Sequence, residues 1–135
     1  MVKVYIVTDL EGVAGVVHSS QVQPGSPFYE EARRLLTGEV NAAVAGALRG
    51  GATEVVVNDG HGGGLNLVLE ELHEEMKVVL GAPRPFSLGG LSNDFGCALL
   101  VGYHSRAGAE GGVPSHKVFL ESVYRVTLNG WRSAR

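Results

Sequence analysis

Short runs of consecutive apolar residues along this chain are separated by a stretch whose apolar residues recur every three to four positions. The first run, KVYIVTD (3–9), is dense in β-branched and aromatic residues and lacks polar alternation. It predicts a strand buried on both faces. TEVVVND (53–59), KVVLG (77–81) and CALLVGYH (97–104) repeat the pattern and predict three more strands. Between the first two, Phe28, Ala32, Leu35, Leu36, Val40, Ala43, Val44, Ala47 and Leu48 fall at helical spacing. Ser26 and Pro27 suit the N-cap and first helical position, and Gly50-Gly51 stops the helix after Arg49. A shorter helical piece is expected around 65–75. The stretches 12–25 and 83–96 read mainly as loops, and HKVFLESVYRVTLNG (116–130) reads as paired strands. Strands alternating with helical segments predict an α/β fold: a three-layer domain with a mostly parallel sheet and helices on both faces.

Composition narrows the partners. The 135 residues suit one domain, and 44% hydrophobic against 19% charged residues supports a normal core rather than disorder. A net charge of −3 without a basic run speaks against nucleic acid. Cys97 is the sole cysteine, so neither an intrachain disulfide nor a paired-cysteine zinc motif can form. No apolar run approaches the roughly 20 residues of a membrane-spanning helix. A soluble, cytoplasmic protein is the expectation.

The chemistry gathers at the strand ends. In open parallel sheets, ligands collect beyond the carboxyl ends of the strands. Here Asp9 and Glu11 follow the first strand, Asp59 and His61 the second, and His104 the fourth, while His116 lies past a glycine-rich loop. In extended chain, Asp9 and Glu11 would point the same way. Two carboxylates so close repel unless a cation lies between them. Mixed Asp, Glu and His donors suit zinc, and Asp9 could bridge two metals in a hydrolytic site. Each motif alone has a blander reading: a solvated turn for the carboxylates, a hydrogen-bonded structural residue for a lone histidine. Convergence from independent strand ends lifts the set above those readings. Asp59 is assigned to the turn, or to orienting a histidine from behind the metal. His18, in a loop, and His73, in the charged EELHEE, are left outside the site.

YIVTDLEGVAGV, EVVVNDGHGG, PRPFSL, LLVGYHSRAG and GGVPSHKV resemble, in order and spacing, the metal-dependent D-aminopeptidases of the dipeptide-transport-operon type, peptidase family M55. The resemblance runs from residue 3 to about residue 130. It implies a co-catalytic zinc pair bridged by Asp9, with Glu11 and His61 on one ion and His104 on the other. It implies His116 as the catalytic histidine, acting as nucleophile or acid/base. The implied reaction releases an N-terminal D-amino acid from a short peptide, in a ring-like homo-oligomer enclosing a chamber.

The resemblance breaks near residue 131. Family members are about twice as long and continue after the NG turn with Pro-x-Gly-Glu, whose glutamate is a further zinc ligand. This chain reads NGWRSAR, with Arg135 where that glutamate is expected. One codon choice for Arg-Ser-Ala-Arg, read one base out of register, gives Pro-Leu-Gly-Glu. The expectation is therefore a catalytic domain over 1–131 and an out-of-frame or truncated tail over 132–135, with a weakened second zinc site. The alternative is a catalytically silent metal-binding remnant that oligomerises.

Overall fold

The computed structural model describes residues 1–107, 109–110, 116, 127–128 and 131–132. Its centre is a parallel sheet of four strands, β1 (Val2–Thr8), β2 (Ala52–Asp59), β3 (Met76–Val79) and β4 (Cys97–Val101), in the order β3-β2-β1-β4. The strands β5 (Thr127–Leu128) and β6 (Trp131–Arg132) pair antiparallel. The rest of the strand pairing expected over 116–130, and the tail 133–135, lie outside the described residues.

All four parallel strands end on the same side, which is why the sheet can gather ligands there. Thr8 is opposite Asp59 on one flank and Val101 on the other. β1 and β2 are buried on both faces over their last five residues, as their unbroken apolar runs predict. Val4, Ile6, Val55 and Val57 face the long helix α1 (Tyr29–Arg49) and pack on its Ala32, Leu36, Val40 and Val44. Each large side chain of that stripe contributes about 1.5–3 kcal/mol by leaving water. Tyr5, Val7 and Val56 face the other way, where Val79 and Phe95 cover them. Among the described residues, that second face is layered by the 83–96 segment: Tyr5 meets Phe95 edge-on, and its hydroxyl donates to the Gly89 carbonyl at 2.8 Å.

Three boundaries differ from the sequence expectation. α1 begins at Tyr29 rather than Pro27, because Ser26 closes a turn of its own: the Tyr29 N–H donates to the Ser26 carbonyl at 3.1 Å. Phe28 and Leu35 are consequently exposed at the edges of the apolar stripe. The helical piece expected over 65–75 shrinks to a single 3-10 turn, Leu69–Glu71. Its neighbours bond to α1 instead: the Asn41 amide donates to the Glu71 carbonyl at 2.6 Å and accepts from the His73 N–H at 2.9 Å. β4 stops at Val101 because Gly102 takes a left-handed φ of +69°. That bend aims Tyr103 and His104 away from the strand line.

Two glycines clamp the ends of β1 and β4 together. The Gly12 N–H donates to the Gly102 carbonyl at 2.8 Å, and a Cβ on Gly12 would stand 1.9 Å from the Tyr103 carbonyl oxygen. Gly12→Ala must therefore move backbone, and we expect a loss of about 3 kcal/mol, at the upper end of overpacking costs. Gly38→Ala is the contrast. Its Cβ would meet nothing within 4 Å, on a helix, so it should stabilise by roughly 0.5–1 kcal/mol. Urea denaturation of both variants checks the pair; Gly12→Ala unfolding at the wild-type midpoint would refute the clamp.

Candidate metal centre

Asp9 and Glu11 do not meet through strand alternation. β1 ends at Thr8, and residues 9–12 turn back on themselves. The Leu10 N–H donates to Asp9 Oδ1 at 2.9 Å, while Leu10 itself is fully buried. The turn carries both carboxylates to one histidine. His61 Nδ1 lies 3.1 Å from Asp9 Oδ1 and 3.0 Å from Glu11 Oε2. On the far side of the ring, His61 Nε2 lies 3.0 Å from the Val22 carbonyl. A carbonyl only accepts, so Nε2 carries the proton and Nδ1 is the atom offered to the carboxylates. Asp9, Glu11 and His61 place one ligand atom each within 4.8 Å of one another.

His104 stands at the second oxygen of Asp9. Its Nε2 is 3.3 Å from Asp9 Oδ2, and its Nδ1–H donates to the Ser105 carbonyl at 2.6 Å. The two oxygens of Asp9 thus face two different histidines. His116 stacks on His104, with ring centroids 4.1 Å apart and planes 23° off parallel. Asp59 is one step removed from the cluster. Its carboxylate accepts from the Asn66 N–H (2.6 Å), the Asn66 side-chain amide (2.7 Å) and the Leu67 N–H (3.0 Å). The Asn66 amide also donates to the His61 carbonyl at 2.7 Å, so Asp59 holds the backbone that carries the His61 ring. His18 and His73 each use Nδ1 to accept a backbone N–H two residues on, and neither reaches the cluster.

Charge inside the cluster follows from these contacts. Burial opposes a charged His61, but hydrogen bonds to Asp9 and Glu11 outweigh it and raise the imidazole to about 10. Burial likewise opposes a charged Glu11, yet the bonds from His61 and Asp9 win and bring it down to about 2. Asp9, buried and beside Glu11, is pushed up, so it is the carboxylate that gains a proton first. Burial, then Asp9 and Tyr5, push the nearby Tyr103 phenol up to about 12. At neutral pH it is an uncharged donor in the wall.

A cleft of about 640 Å³ opens over the cluster, lined by Asp9, His61, His104 and His116 and by Pro83, Arg84, Phe86 and Tyr103. Three contributors went unnoticed in the sequence: the Val22 carbonyl, Asn66 and Arg84. Backbone carbonyls carry no sequence signal, and Asn66 sits in an unremarkable loop. Arg84 did leave a trace, as the single charged residue between Lys77 and Asp94.

The peptidase M55 family, described as D-aminopeptidase, matches residues 2–134. A curated D-aminopeptidase of Bacillus subtilis (strain 168) is 41% identical over 117 residues, 86% of this chain and 42% of the relative. The solved structure of the Zn-dependent D-aminopeptidase DppA from Bacillus subtilis, described as a self-compartmentalizing protease, superposes with a TM-score of 0.83 at 40% identity. It covers 87% of this chain and 43% of that one. The chain therefore spans less than half the length of the relatives it matches.

Proposed function

We propose that this chain, which belongs to the peptidase M55 family of D-aminopeptidases, carries the metal-binding and catalytic half of a zinc-dependent aminopeptidase acting on short peptides with an N-terminal D-amino acid. The observation that carries the reading is His61. Its Nε2 is committed to Val22 while its Nδ1 converges with Asp9 and Glu11, a donor set with the chemistry zinc prefers. Asp9 Oδ1, Glu11 and His61 would hold one ion, and Asp9 Oδ2 with His104 a second. The chemistry zinc supplies when bound is polarisation of the scissile carbonyl and stabilisation of the charge that develops on its oxygen.

The protein's own groups supply the rest. Asp59, through Asn66, fixes the loop that presents His61. His116, stacked on His104 at the cleft wall, would move a proton between the substrate and solvent, or attack the carbonyl. A homo-oligomer, ring-like as the resemblance implies, would enclose this cleft.

A second reading is a silent metal-binding remnant. It is favoured by the second position, where the described residues supply the Asp9–His104 pair. Two protein donors alone make a weak zinc site. Counting zinc on the purified chain by mass spectrometry, with D-Ala-D-Ala added with and without chelator, separates the two. Bound zinc and chelator-sensitive release of D-Ala are expected. One zinc or none, with no turnover, would hand the case to the silent remnant.

A further inference from the structure

We propose that Arg84 anchors the carboxylate end of a short peptide lying in the cleft, so that the site selects free carboxyl termini over amides. The proposal rests on reading the cleft as a peptidase site and adds to it the side chain that sets substrate length.

Four observations carry it. First, Arg84 shares the cleft with Asp9, His61 and His104. Second, no carboxylate lies within ion-pair distance of its guanidinium among the described residues, whereas Arg33, Arg34, Lys3 and Lys77 all have one. Third, its acceptors are neutral and rigid. One terminal nitrogen donates to the Asn58 side-chain oxygen and the other to the Asp59 carbonyl at 2.8 Å. Asn58 is fully buried, and its own amide is pinned to the Ser87 carbonyl at 3.0 Å. The end of β2 thus orients the guanidinium from behind, and these bonds engage two of its five N–H groups. Fourth, Pro83, Phe86 and Tyr103 form an apolar wall beside it.

A half-buried cation without a counter-ion is held at a cost that an incoming anion removes. The planar fork of arginine matches a carboxylate with two parallel hydrogen bonds. Arg84 therefore offers a positive charge, backed by neutral acceptors, inside the same cleft as Asp9, His61 and His104. A short peptide bound at the metal cluster carries a terminal carboxylate to match that charge, with its side chain free to lie on the apolar wall. A longer peptide or an amide carries no negative charge where Arg84 waits.

The probes are N-acetyl-D-alanine and its primary amide, which share a shape, lack a free amine and differ by one charge. NMR titration of the full chain, zinc-loaded and chelator-treated, reads their affinities. Wild type should bind the acid roughly tenfold more tightly than the amide in both states. Arg84→Gln should bring the two to near parity, with amide affinity and zinc content unchanged. Arg84→Lys, which keeps the charge but not the fork, should retain part of the preference. An acid preference that survives Arg84→Gln in the chelator-treated chain would overturn the proposal. So would equal loss of both probes in the Gln and the Lys variants. A chain that binds no zinc yet keeps the Arg84-dependent preference would overturn the zinc reading and leave this one standing.

Discussion

With the proposed zinc pair, Asp9→Ala should remove zinc from both positions, whereas His104→Ala should leave one ion bound. The asymmetry follows from the two oxygens of one carboxylate. Asp9 Oδ1 faces His61 and Oδ2 faces His104, while Glu11 reaches His61 alone. Structural zinc sites bind with roughly 10–16 kcal/mol over four ligands, so one ligand is worth about 3 kcal/mol, roughly a hundredfold in affinity. On the proposed ligand set, removing Asp9 would take a ligand from each position and leave Glu11 with His61 on one side and His104 by itself on the other. Removing His104 leaves the Asp9, Glu11 and His61 group intact. Asp9→Ala also deprives the Leu10 N–H of its acceptor, so Asp9→Asn belongs in the series: it restores that bond without the charge. Zinc stoichiometry by native mass spectrometry, with affinity by chelator competition, reads the result. Equal zinc loss from Asp9→Ala and His104→Ala would refute the bridging assignment.

The parts of this site written in the sequence are those where residue type alone decides. Unbroken apolar runs mark β1 and β2, and a parallel sheet delivers the residues after them to one rim. Asp9, Glu11, His61 and His104 were legible on that ground. How they meet was not. The same-side argument for Asp9 and Glu11 assumes an extended chain, but β1 ends at Thr8, and a turn fixed by Gly12 against Gly102 sets the geometry. Nothing in the periodicity of 65–75 reports that Asn41, Thr37 and Arg33 of α1 would satisfy that segment's backbone in place of a helix. Thr37 accepts the Val68 N–H at 3.0 Å, and Arg33 donates to the Asn66 and Leu67 carbonyls. Tertiary hydrogen bonds won over local helical spacing there. The same network reaches the site: the Tyr29 hydroxyl donates to Asn66, and Asn66 ties Asp59 to the His61 backbone.

Zinc affinity should rise about tenfold per pH unit from pH 6 to 8.5, well past the range in which an ordinary histidine has finished titrating. The cause is the competition at one atom. In the metal-free protein, Asp9 and Glu11 hold a proton on His61 Nδ1 with a pKa raised to about 10. Zinc needs the same lone pair, so binding expels that proton throughout this range. A histidine near its reference value of about 6.5 would give a flat profile above roughly pH 7.5. Stability must move the opposite way without metal. His61 has a folded pKa above its unfolded one, so its contribution is full below about pH 6.5 and is lost as pH rises toward 10. Glu11, lowered to about 2, contributes above pH 4.5 and loses that as pH falls toward 2. The metal-free chain should therefore lose melting temperature from pH 7 to 9, while the stabilisation gained from added zinc grows over the same interval. Glu11→Gln removes half of the counter-charge, so it should bring the His61 pKa down and flatten the upper end of the zinc profile. Calorimetry in buffers of different ionisation enthalpy counts the released proton directly. A wild-type value near zero at pH 7.5 would mean that Nδ1 is already free, and that the two carboxylates do not share the proton the geometry gives them.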